Sequence, residues 1–179
     1  MYNVRSVVGM TERNLDLEIL KLIEEQPEIS DSAIADRLSV PEELVKSRIL
    51  SFQDTREKVL IADDDQETLI VLKKVLEADN YSVVEASDGL TALEAVKSQR
   101  PDLVLLDLML PGIDGFEVCK QLKGDPLCRH VPVMMLSSND EPDVRIEGFE
   151  NGAEDFIPKP VNPPELKARI KMALRRNWA

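Results

Sequence analysis

Asp107 closes the most apolar run of the chain, Leu103-Val104-Leu105-Leu106, and three acids, Asp63-Asp64-Asp65, close an earlier one, Val59 to Ala62. Carboxylates gathered in one place repel each other and raise each other's pKa. A bound divalent cation relieves that repulsion, and Mg2+ suits an all-oxygen ligand set. Lys159, between Pro158 and Pro160, offers one positive charge, and Ser137 ends a further apolar run with a hydroxyl. Acids, a metal and one lysine suit phosphoryl transfer. Asp107 is the candidate nucleophile, its carboxylate attacking a phosphodonor in line to give an acyl phosphate. Asp63 and Asp64 are expected to hold Mg2+, with Asp107 and the backbone carbonyl of Met109 completing the protein ligands. Lys159 and Ser137 are expected to pair with the remaining phosphoryl oxygens.

Each residue also has a plainer reading. Three acids after a strand can be a solvated turn, Asp107 can cap a helix, Lys159 can be a surface lysine, and Ser137 or Ser138 can cap the next helix. Their joint occurrence at the ends of the first, third, fourth and fifth of the chain's five candidate strands argues against coincidence.

The elements that must position these residues alternate in type. Candidate strands are 58–62, 81–86, 102–107, 131–136 and 154–158. Helices of roughly 66–78, 88–98, 113–123, 142–151 and 163–175 intervene or follow. Leu69, Leu72, Val75 and Leu76 keep helical spacing, as do Leu90, Leu93 and Val96. Asp79-Asn80, Gly112, Gly124-Asp125-Pro126 and Asn151-Gly152 punctuate the units. Five strands alternating with five helices argue for an α/β sandwich built on a five-stranded parallel sheet, whose carboxyl ends share one crevice.

Residues 1–56 read as a small all-α domain and residues 57–179 as the α/β domain. Leu15, Ile19, Leu22 and Ile23 mark a first helix ended by Pro27. Ser30-Asp31-Ser32 caps a second that contains Ile34, Ala35 and Leu38. Ser39-Val40-Pro41 turns into a third, Glu42 to Phe52, with Leu44, Val45, Ile49 and Leu50 as its apolar residues. A helix-turn-helix and a simple three-helix bundle both satisfy this pattern. Gln53 to Glu57 is the boundary, short enough for a shared continuous helix.

Composition narrows the classes. The net charge of -12 opposes tight non-specific binding to a phosphate backbone. Neither part is basic: residues 1–56 carry 7 basic and 11 acidic side chains, and 57–179 carry 15 and 23. No apolar run approaches bilayer-spanning length, and the start lacks a signal peptide's basic and apolar regions. Two cysteines, Cys119 and Cys128, and the lone His130 do not make a zinc cluster, so a reducing cytoplasm is the expected setting.

Residues 58–175 resemble the receiver domain of two-component response regulators. The resemblance runs through Val59 to Asp65, Pro101 to Gly112, Asp114-Gly115, Pro132 to Ser137, Gly152-Ala153 and Lys159-Pro160. It implies a doubly wound, flavodoxin-like sheet of order 2-1-3-4-5. It also implies phosphorylation of Asp107 by a histidine kinase or a histidine phosphotransfer protein, and a cis bond at Lys159-Pro160. The family's switch pairs a hydroxyl residue with an aromatic on the fifth strand, here Ser137 and Phe156. Its output is a changed shape of the face made by that domain's fourth helix, fifth strand and fifth helix. Phe156 lacks a hydroxyl and is expected to favour the buried rotamer.

Residues 14–52 resemble the helix-turn-helix of small bacterial regulators of the leucine-responsive type. Glu42 and Glu43 stand where phosphates and bases would approach, while Lys46, Arg48 and Arg56 give thin basic cover. Two outputs follow: a changed protein contact, homodimer included, or phosphorylation-controlled DNA binding through residues 30–56. A metal-dependent phosphatase of related fold is a third reading, weakened by the lack of any substrate-closing cap.

Overall fold

A computed structural model describes residues 12–139 and 141–176, which fall into two compact units divided after Thr55. The first contains α1 (Glu12–Glu25), α2 (Asp31–Leu38) and α3 (Glu42–Gln53). The Ser30 side chain caps α2 by accepting from the Ala33 N–H at 3.2 Å. Ser39 ends that helix in the left-handed region at φ 56°, and Pro41 opens α3. Leu15, Ile19, Ile34, Ala35 and Val45 form the unit's core, with Leu44, Ile49 and Phe52 packed against it. Leu50 does not join them and is 65 % exposed. It lies five positions beyond Val45, so the helical turn carries it round to solvent. Asp54 caps α3 at its C-terminus, so the helix does not continue into the strand that follows.

The second unit alternates as its apolar runs require: β1 (Lys58–Ala62), α4 (Gln66–Ala78), β2 (Ser82–Ala86), α5 (Gly89–Gln99), β3 (Leu103–Asp107), α6 (Gly115–Gly124), β4 (Val133–Ser137), α7 (Pro142–Glu150), β5 (Asp155–Pro158) and α8 (Pro163–Arg176). The five parallel strands take the order β2-β1-β3-β4-β5. This is the expected doubly wound, flavodoxin-like arrangement. Boundaries move by at most two residues from the sequence reading, partly because Asp88 and Asp114 act as caps ahead of α5 and α6.

Strand period two explains why the central runs are wholly apolar. Leu60, Ala62, Val104, Leu106, Val133 and Met135 face one layer, with Ala92, Val96, Val118, Cys119 and Leu122 from α5 and α6. Their neighbours Val59, Ile61, Leu103, Leu105, Met134 and Leu136 face the other, against Leu69, Leu72 and Leu76 of α4 and Leu166 and Ile170 of α8. Both faces are covered, as a parallel sheet demands. Leu90 is an exception to the helical spacing: it is 59 % exposed, and Ala92 and Val96 carry the inner face of α5. Cys128, in the loop before β4, is buried in the core beside the α5–α6 layer. Burial raises the Cys119 thiol to about 11, so it packs as an apolar group.

Candidate functional site

The register of β1 on β3 pairs Ala62 with Leu106, so Asp63 and Asp107 follow at the same level one step beyond. Backbone bonds carry the ladder past the strand ends. Asp63 N–H donates to the Ala86 carbonyl at 3.0 Å, Leu108 N–H to Leu136 at 3.2 Å, and Lys159 N–H to Ser137 at 2.8 Å. Four strand ends thereby present side chains to one crevice, where open α/β sheets hold their ligands.

The run of three acids divides into three roles. Asp63 is 0 % exposed and accepts the Asp65 N–H on Oδ1 at 3.0 Å. Asp64 is exposed. Asp65 caps α4, accepting from the N–H groups of Glu67 (3.3 Å) and Thr68 (3.1 Å) and from the Thr68 hydroxyl at 2.6 Å. Those bonds, the Thr68 hydroxyl first, hold its carboxyl below the ordinary value. The spacing Asp65-x-x-Thr68 is a capping signal that the sequence reading did not use.

Ligand oxygens of Asp63, Asp64 and Asp107 lie within 4.8 Å of one another, forming the group of candidate metal ligands among the described residues. Asp107 is 5 % exposed, and its Oδ1 accepts the Met109 N–H at 3.3 Å. Lys159 Nζ donates to Asp63 Oδ2 at 2.7 Å and to Asp107 Oδ2 at 2.9 Å. The Lys159-Pro160 bond is cis, as the resemblance implies.

Burial pushes the Asp63 carboxyl above its usual range, and the neighbouring Asp107 adds to the shift; the bonds from Lys159 and the Asp65 N–H oppose it. Burial by itself would lower the Lys159 ammonium, but its bonds to Asp63 and Asp107 outweigh that and hold it above the ordinary lysine value. Three carboxylates against one ammonium leave two negative charges in the crevice. An all-oxygen donor set with that excess fits a divalent cation such as Mg2+.

Ser137, 3 % exposed, ends β4. Its hydroxyl donates to the Asn139 carbonyl and accepts the Asn139 N–H, both at 2.9 Å, a pairing the sequence reading missed. Phe156 lies in β5 and is 1 % exposed. The Met109 side chain is exposed, and only its backbone reaches Asp107. Gly115, of the Asp114-Gly115 motif, packs hard against the site. A Cβ there would stand 2.3 Å from the Asp107 carbonyl oxygen and 2.9 Å from Leu108 Cα.

A buried acid beside an exposed one, a third acid on the adjacent strand and a lysine across them define an acidic crevice at the carboxyl edge of a doubly wound sheet. Comparison with known proteins makes the class specific. Residues 59–171 match the response regulator receiver domain family, and the chain belongs to it.

The chain is 43 % identical over 120 residues to the alkaline phosphatase synthesis transcriptional regulatory protein PhoP of Bacillus subtilis, covering 67 % of this chain and 49 % of that protein. It is 43 % identical over 122 residues to the DNA-binding response regulator MtrA of Mycobacterium tuberculosis, covering 68 % and 52 %. Response regulator PleD of Caulobacter vibrioides is 42 % identical over 118 residues, covering 66 % and 26 %. The chain thus spans about half or less of the length of these relatives.

Among solved structures, a CheY-like receiver domain protein from Methanospirillum hungatei aligns with TM-score 0.65 at 28 % identity, covering 69 % of this chain and 97 % of that one. The BeF3-activated receiver domain of Klebsiella pneumoniae RstA aligns with TM-score 0.61 at 36 % identity, covering 66 % and 98 %. No described helix is long and apolar enough to cross a membrane.

Proposed function

We propose that this chain is a phosphorylation-controlled response regulator whose phosphoacceptor is Asp107. A carboxylate oxygen of Asp107 attacks the phosphorus of a phosphohistidine on a histidine kinase or histidine phosphotransfer protein. The new O–P bond forms as the P–N bond breaks, and the leaving imidazole keeps the electron pair and takes up a proton. Water later attacks the acyl phosphate, restoring the carboxylate and releasing inorganic phosphate. Asp63, Asp64, Asp107 and the Met109 carbonyl are the residues to hold Mg2+. When bound, the ion offsets the negative charge of the phosphoryl oxygens. Lys159 takes a phosphoryl oxygen as partner, and Ser137 offers its hydroxyl to another. The observation that carries this reading is Lys159 Nζ lying within 2.9 Å of both Asp63 and Asp107.

The output best supported by relatives is transcriptional control, since PhoP is named a transcriptional regulatory protein and MtrA a DNA-binding response regulator. In this reading residues 1–56 form a helix-turn-helix-like domain that meets DNA through residues 30–56, acting as a homodimer in the cytoplasm. A second reading rests on charge. Glu42 and Glu43 open α3, and Lys46 is paired with both at 2.8 and 3.5 Å. Arg48 is engaged with Asp16. Cations tied up in this way have less to offer a phosphate backbone, which favours a protein contact instead. That contact would be switched through the face of α7, β5 and α8.

Mass analysis after incubation with acetyl phosphate and Mg2+ tests the phosphoacceptor. One acid-labile phosphoryl group is expected on the wild type and none on Asp107→Asn; an unmodified wild type refutes the assignment. A salt-dependent mobility shift on promoter DNA, strengthened by phosphorylation, separates the two outputs. No shift from the phosphorylated protein favours the protein contact.

A further inference from the structure

We propose that Arg145 is a positioning residue for the switch, its guanidinium stacked over the ring of Phe156 and holding that ring in the buried rotamer. The inference rests on the reading of Phe156 as the switch aromatic and adds a residue that sets its equilibrium. The Arg145 guanidinium carbon lies 5.9 Å from the Phe156 ring centroid, within the range of a cation–π contact. Phe156 has no hydroxyl, and the negative face of its ring is the feature that attracts a cation.

A second observation places the ring from another side. Gly148 is buried on α7, and a Cβ there would lie 3.3 Å from Phe156 Cε2 and 3.4 Å from Cδ2. The ring therefore rests against backbone that carries no side chain. Arg145 and Gly148 are three positions apart, so one face of α7 supplies both the slot and its cover. Val144 of the same helix packs against the core cluster that contains Phe156. Arg145 is also the one basic residue in the α7 sequence PDVRIEGFE, beside Asp143, Glu147 and Glu150. Rotation of the ring outward must break the stack on a helix that also carries Asp143, Glu147 and Glu150. The charge pattern of α7 is thereby coupled to the rotamer of a β5 side chain, and each biases the other by the same amount.

Fluorine NMR of the full chain labelled with 4-fluorophenylalanine tests this. The four phenylalanines give four signals, and Phe156→Leu identifies the relevant one. Saturation-transfer measurement then reads the exposed-ring population. Arg145→Met keeps a long apolar stem but removes the charge, and should raise the exposed-to-buried ratio by roughly two- to five-fold, as loss of an exposed cation–π contact implies. Arg145→Lys should fall between Met and wild type. An exposed population no larger in the Met variant than in wild type overturns the inference. Equal increases in the Lys and Met variants overturn it too, because stem shape and not charge would then be responsible. A parallel acetyl phosphate reaction keeps the two levels apart. Wild type that takes up no phosphoryl group defeats the proposed function, while the fluorine signals still decide whether Arg145 holds the ring.

Discussion

Lys159 and Asp63 stand 96 positions apart in the chain, and their side chains meet at 2.7 Å, the lysine reaching on to Asp107 at 2.9 Å. Asp63 is fully buried, where an unpaired ionised carboxylate would carry a heavy desolvation cost. The ammonium offsets that cost and also ties together the proposed metal ligand and the proposed nucleophile. Stability at the crevice and the proposed chemistry there draw on the same cation.

Lys159→Met should therefore damage both. Leaving the Asp63 charge buried and unpaired is expected to cost about 3 kcal/mol, the low end for a broken buried pair because the Lys159 side chain keeps some exposure. The rate of acyl phosphate formation should fall roughly 100-fold, the scale for losing one electrostatic stabiliser. Urea unfolding with and without Mg2+ reads the first effect and mass analysis the second. A Met variant as stable as wild type without metal would show that Asp63 does not depend on Lys159.

Gly115→Ala probes the packing behind Asp107. The added methyl would collide with backbone at 2.3 and 2.9 Å, which no side-chain rotation can relieve. We expect a loss of about 1–3 kcal/mol, as for overpacked sites, together with slower phosphorylation because the β3 end must shift. Unfolding curves and acetyl phosphate kinetics on one preparation would measure both. Stability lost with an unchanged rate would mean that the strain is absorbed away from Asp107.

Asp79, at the C-terminal end of α4, links that helix to α8. Lys167 donates to it at 2.6 Å, and this bond, outweighing partial burial, holds the Asp79 carboxyl below its ordinary value. An acid with a depressed folded-state pKa contributes stability above its unfolded value of 3.8, and that contribution disappears as pH falls through the folded value. Asp79→Asn should thus be less stable than wild type at pH 6, with the gap closing toward pH 3. Parallel urea titrations at the two pH values check this. A constant gap would assign the effect to packing.

Much of this was legible because the chain's signals are local. Apolar runs of four followed by an acid or a hydroxyl marked β1, β3 and β4, and spaced leucines marked most helices. Helical spacing misjudged Leu50 and Leu90, since it cannot tell which of several apolar residues turns toward the neighbouring layer. It also left Asp63, Asp64 and Asp65 as one acidic run. The structure separates them into a buried acid, an exposed acid and a helix cap.

Propensity and periodicity act over a few positions, so the order of elements could be read along the chain, while its motifs carried the family and the residues able to hold charge. Only the tertiary structure decided that Lys159 spans Asp63 and Asp107, that Ser137 pairs with Asn139, and that Arg145 covers Phe156. Strand order and register set those meetings. They are settled by burying both faces of the sheet at once, a condition that no single stretch of chain contains.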